Sequence, residues 1–134
     1  MKNILVIGAS GFVGSHLCSY LASENFNVTA YSRSPIDLGP SIAYLTSPSF
    51  QFLFDEPSLL SKFDSIVYAA GRAHKFLGTP TISCVSQYLS DNTIDPVQIA
   101  RLASLAGVKR FIYISTIKVN GDSTSNFNSF SFFF

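Results

Sequence analysis

Gly8-Ala9-Ser10-Gly11-Phe12-Val13-Gly14 sets three glycines three residues apart, directly after a short apolar run. Each glycine at that spacing has a physical task. Gly8 permits a tight turn, Gly11 removes a Cβ that would hold a phosphate off the backbone, and Gly14 lets a helix pack closely. The helix that starts here offers unpaired N–H groups and the positive end of its dipole to an anion. Ser10, Phe12 and Val13 fill the turn and are expected against the same ligand, the pyrophosphate of a dinucleotide. No Lys-Ser or Lys-Thr pair follows the glycines, which argues against a P-loop.

About twenty residues on, an acid at the end of a second strand would accept a hydrogen bond from a ribose 2′-OH, the arrangement suited to NAD. That region reads Tyr31-Ser32-Arg33-Ser34 and holds no carboxylate. Arg33 can pair with a 2′-phosphate, which favours NADP over NAD; the alternative is a solvated arginine at a strand end. No metal site is expected. Cys18 and Cys84 lie far apart without ligand spacing and read as reduced thiols in the core of a cytoplasmic protein. His16 and His74 have no acid or nucleophile partner in view and read as structural or surface residues.

The elements that must position these groups alternate between strand and helix. Lys2 to Ile7 reads as a buried strand, Gly11 to Ser23 as a helix, and Val28 to Ser32 as a second strand closed by Ser34-Pro35. The stretch from Ile36 to Ser49 carries Pro40 and Pro48, with Pro35 just before it, and reads as loop, with Phe50 to Phe54 as a third strand. Pro57 to Lys62 suits a short helix with proline in its first turn. Ser65 to Ala70 is a fourth strand. Cys84 to Ala106 carries a long helical pattern that Pro96 must start, kink or split. Gly107 stops it, and Arg110 to Ser115 is a fifth strand. Such alternation predicts an α/β fold: a Rossmann-type doubly wound parallel sheet of about five strands, in the order 3-2-1-4-5.

Composition bounds the remainder. With 134 residues, 47% apolar and a net charge of +1, the chain is globular in character and one domain at most. The absence of a basic block argues against nucleic acid or an anionic membrane as partner. No apolar stretch is long enough to span a bilayer. From Asn120 onward Gly, Asp, Ser, Asn and Phe predominate. Residues 121–134 are therefore expected to be a disordered or non-native tail rather than a short strand, and residues 1–120 to form the folded domain.

Together the glycine turn, Tyr68-Ala69-Ala70-Gly71, Asn92, and the run from Val108 through Ser115-Thr116-Ile117-Lys118-Val119-Asn120-Gly121 carry a resemblance. The chain resembles the extended short-chain dehydrogenase/reductase family, in its NAD(P)-dependent nucleotide-sugar epimerase/dehydratase branch. The last run looks most like UDP-N-acetylhexosamine epimerases and related surface-polysaccharide enzymes. The resemblance implies that Asp55 is the acid contacting adenine. It implies that Ala69, Ala70 and Gly71 lie along the cofactor and that Asn92 supports the network beside it. It makes Thr116 the catalytic hydroxyl on the reacting sugar, with a nucleotide-sugar as substrate and sugar C4 oxidation and reduction as the chemistry.

One departure from the family pattern matters. The family uses a Tyr whose proton affinity is lowered by a Lys four residues later. Four residues after each tyrosine of this chain stand Glu24, Pro35, Pro48, Arg72, Asn92 and Ile117. The expectation is a cofactor-binding domain that is truncated and catalytically incomplete as it stands, lacking C-terminal strands and a substrate domain. The unpaired edge of its fifth strand would invite association, into a homo-oligomer or with another chain.

Overall fold

A computed structural model describes residues 1–71 and 81–115. Strand β1 (Asn3–Ile7) occupies the middle of the sheet, and its alternation shows why. Leu5 and Ile7 point into one core while Ile4 and Val6 point into the other. A strand apolar on both faces must be covered on both, which is the mark of a central parallel strand. Strands β2 (Asn27–Ser32), β3 (Ile42–Thr46), β4 (Ser65–Tyr68) and β5 (Arg110–Tyr113) join it in the order β3-β2-β1-β4-β5. Every pairing is parallel. The doubly wound sheet is as expected.

Helix α1 (Phe12–Ser23) covers the face of Ile4 and Val6, with Cys18 buried against them. Burial pushes the Cys18 thiol up to about 11, so it remains a protonated apolar group. The opposite face is closed by α2 (Gln51–Asp55), a 3-10 helix (Pro57–Lys62) and, after α3 (Ile82–Leu89), by α4 (Asp95–Leu105). Leu53, Leu60, Ile99 and Ala103 are their buried contributions. Cys84, expected in the core, is instead exposed on α3.

The third strand requires a correction. It is Ile42–Thr46, inside the stretch read as loop, and Phe50 to Phe54 contributes to the helix α2 instead. Strand β3 is a sheet edge with only Ile42 fully buried, so it lacks the apolar run that marks a central strand. The phenylalanines are apolar for another reason. Phe50 and Phe52 pack beside Tyr31, with ring centroids 5.1 and 5.7 Å away.

The long helical pattern is split as Pro96 demands. Between α3 and α4 the backbone widens into a π-helical turn, Ser90–Ile94. Residues 72–80 and 116–134 lie outside the described residues, and with them the expectations for His74, for Thr116 and for the tail.

Candidate functional site

The turn after β1 is built as its glycines suggested, with tighter constraints. Gly8 has φ +89°, and a Cβ on it would lie 2.5 Å from the backbone nitrogen of Ala70. The segment leaving β4 therefore presses directly on the turn leaving β1. A Cβ on Gly14 would overlap the carbonyl oxygen of Gly8, so the first turn of α1 presses directly on the glycine turn. At Gly11 a Cβ would sit 3.3 Å from the same oxygen. The N–H groups of Gly8 and Ala9 both donate to the Tyr31 carbonyl, at 3.2 and 3.1 Å, which ties the turn to the end of β2. Helix α1 begins at Gly11 without a side-chain cap. The N–H groups of its first turn, at Phe12 and Val13, have no partner further back in the helix and are available to an anion.

Above this turn opens a cleft of about 380 Å³ at the carboxyl ends of β1, β2 and β4. It lies where the chain reverses its direction of travel across the sheet, the place at which open α/β sheets bind ligands. Gly8, Ser10 and Gly11 line it from the turn and Ala69, Ala70 and Gly71 from the end of β4. Arg33 lines it from the end of β2. These seven residues, scattered over sixty-odd positions of sequence, are thus brought together.

Other expected residues take different places. Phe12 and Val13 have exposed side chains at the start of α1 and do not line the cleft with them. Asn92 stands behind the cleft wall, its Oδ1 3.5 Å from where a Gly71 Cβ would be. Asp55 is not brought to the cleft. It ends α2 and accepts a hydrogen bond from Gln51 Nε2 at 2.9 Å. The acid was sought after Phe50 to Phe54 as the third strand, whereas that segment belongs to α2 and the third strand ends at Thr46. His16 is exposed on α1, with Nδ1 2.8 Å from the Phe12 carbonyl.

The cleft also holds residues that sequence reasoning missed: Tyr31, Ser32, Phe50, Tyr68 and Asp91. Tyr31 and Tyr68 stood inside recognised segments, Tyr68 at the head of the Tyr68-to-Gly71 motif, but neither was assigned a place in the site. Burial raises the pKa of both, Tyr31 to about 12. The Tyr31 hydroxyl donates towards the carbonyls of Ser47 and Ser49 at 2.8 and 3.2 Å.

Tyr68 works with Tyr113 on the π turn. In the widened register the Asp95 N–H bonds the Ser90 carbonyl, which releases the carbonyl of Asp91. Pro96 has no N–H to give the carbonyl of Asn92 four residues back. The Tyr68 and Tyr113 hydroxyls donate to those two carbonyls, each at 2.9 Å. Two strand tyrosines thereby fix Asp91 and Asn92 beside the cleft. Burial, then the neighbouring Asp91, raises the pKa of Asp95, and the Ser90 hydroxyl donates to it at 3.3 Å.

Among the described residues no group of three His, Cys, Asp or Glu could hold a metal, and no helix is long and apolar enough to cross a membrane. The chain is 32% identical over 125 residues to a UDP-glucose 4-epimerase of Vibrio cholerae. It is 30% identical over 124 residues to an N-acetyl-α-D-glucosaminyl-diphospho-ditrans,octacis-undecaprenol 4-epimerase of Escherichia coli O157:H7. These matches cover 92% of the chain but only 37% and 35% of those relatives. Among solved structures it is similar to MoeE5 in complex with UDP-glucose and NAD, at 26% identity and a TM-score of 0.75, covering 91% of this chain and 39% of that one. A UDP-N-acetylglucosamine 4-epimerase of Bacillus cereus shares the fold at 20% identity and a TM-score of 0.72, covering 98% of this chain and 44% of that one. The model of the NAD dependent epimerase/dehydratase family matches residues 4–131, nearly the whole chain, and the chain belongs to that family.

Proposed function

We propose that the cleft is the NADP or NAD site of a cytoplasmic nucleotide-sugar epimerase or dehydratase. The glycine turn pressed between the ends of β1 and β4 carries this reading, because it leaves an uncapped helix start facing an open cleft. The cleft volume falls within the range of small-molecule sites. The chain's similarity to MoeE5, solved in complex with UDP-glucose and NAD, supports both the cofactor and the substrate class. When bound, the nicotinamide supplies a hydride acceptor and donor for the sugar.

The residues of this chain do the binding. Gly8, Ser10 and Gly11, with the N–H groups of Phe12 and Val13, hold the pyrophosphate, and Gly14 keeps α1 seated close enough for that. Ala69, Ala70 and Gly71 form the wall along the cofactor, supported by Asn92. Arg33 receives a 2′-phosphate and sets a preference for NADP. Thr116 supplies the hydroxyl that bonds the reacting sugar oxygen. No Tyr-x-x-x-Lys pair is present among the 134 residues, and the roles of this chain's residues are those of binding the cofactor and orienting the sugar.

Calorimetric titration with NAD, NADP and ADP-ribose tests the reading. Binding of all three is expected, NADP most tightly, with Arg33→Ala weakening NADP alone. Failure of all three to bind refutes the cofactor site. Tighter binding of NAD than NADP, unchanged by Arg33→Ala, refutes the preference.

A further inference from the structure

The end of β2 lacks an acid, yet a carboxylate reaches the same cleft from elsewhere. Asp91 enters from the π turn, and its Oδ2 lies 3.9 Å from Nη1 of Arg33. Both residues line the cleft. Arg33 follows β2, while the Asp91 carbonyl is held by Tyr68 of β4, and β1 lies between those two strands. The pair therefore joins opposite walls of the cleft.

Its two members differ in freedom. The Arg33 side chain is 59% exposed and that of Asp91 only 18%. Asp91 is further restrained through its backbone by the Tyr68 hydroxyl. The carboxylate is the fixed partner and the guanidinium the movable one. Their separation exceeds a hydrogen bond, and an ion pair this exposed is weak. A stronger acceptor can draw Arg33 away.

On the dinucleotide reading above, we infer that Asp91 is a specificity-determining residue that competes with the 2′-substituent of the cofactor for Arg33. A 2′-phosphate outbids the carboxylate, because it carries more charge and accepts a bidentate guanidinium contact. A 2′-hydroxyl does not, and the pair stays closed. Asp91 thus subtracts from the advantage that Arg33 confers on NADP and narrows the gap between the two cofactors. Asp95, at the start of α4, also feels the Arg33 charge, so loss of Asp91 leaves one carboxylate nearby.

The test compares ADP-ribose with 2′-phospho-ADP-ribose on the whole 134-residue chain, by calorimetry. Asp91→Asn is expected to tighten the 2′-phosphorylated ligand by roughly two- to five-fold, the range of an exposed ion pair, and to leave ADP-ribose unchanged. In an Arg33→Ala background the same substitution is expected to change nothing. An unaltered ratio overturns the inference, and so does a gain that persists without Arg33. Asp91→Ser removes the same charge and carries the comparison if the asparagine variant unfolds below the assay temperature. Wild-type chain that binds neither ligand refutes the dinucleotide reading itself, which separates that failure from the failure of the Asp91 assignment.

Discussion

Gly8→Ala probes the contact on which the cleft depends. Two separate costs meet at this position. An alanine at φ +89° sits in the left-handed region, which costs about 1–2 kcal/mol. Its Cβ would also lie 2.5 Å from Ala70 N and 2.7 Å from the carbonyl carbon of Ala69. Both are backbone atoms, and the Ala69 N–H is anchored to the Ile7 carbonyl at 2.8 Å, so neither can swing aside as a side chain would. Overpacking of this kind adds about 1–3 kcal/mol. The sum, about 2–5 kcal/mol, is a large part of the 5–15 kcal/mol typical of a folded domain. Gly107 provides the control. It has φ +80° but open space where its Cβ would go, so Gly107→Ala incurs the backbone cost alone. In urea denaturation followed by circular dichroism, Gly8→Ala should be less stable than Gly107→Ala by about 1–3 kcal/mol. Equal losses in the two variants would show that the β4 segment does not press on the turn.

Other expectations concern the supports of the site. Tyr68→Phe leaves the Asp91 carbonyl without its hydroxyl and should cost about 1 kcal/mol, measured by the same unfolding assay. Tyr113→Phe, at a more exposed position, should cost less. Alkaline pH should destabilise the fold. Burial raises Tyr31 to about 12 and raises Tyr68 as well, from an ordinary value of 10.0. Their contribution is whole below about pH 10 and lost as pH rises through the folded-state values, because the unfolded chain releases those protons first. Tyr68→Phe should flatten that slope; an unchanged slope would count against it. Acid should act through Asp64, which accepts the Asn3 N–H at 2.9 Å and faces Lys109 Nζ at 3.5 Å. The Asn3 hydrogen bond first, and Lys109 with it, hold this carboxyl below its ordinary value. Its contribution is present above about pH 4 and lost as pH falls through the lowered value, and Asp64→Asn should remove that part of the acid dependence.

Much of the architecture was legible from local pattern. A β-branched run ending in glycine declares a buried strand, and the three-residue glycine spacing declares a turn against a helix start. Both are properties of adjacent residues and survive without knowledge of their surroundings. The third strand was not legible, because an edge strand with one buried residue has no apolar run to announce it. Apolar Phe50, Phe52 and Leu53 looked like strand but owe their character to packing against Tyr31 and the core. Asp55 was sought behind that segment and stands at the end of α2, outside the cleft lining.

The sequence by itself determined the sheet order, the turn that faces the cleft and the availability of Arg33. It also announced, through Pro96, that one helix would break. Only the tertiary structure decided what the break does. Two carbonyls freed by a π turn and a proline are taken by tyrosines from β4 and β5, twenty-three and twenty-one residues away. That arrangement sets Asp91 opposite Arg33, a pairing across fifty-eight positions that no spacing rule encodes. Local signals specify which groups a segment offers, whereas the distance between two such groups is set by how the segments pack.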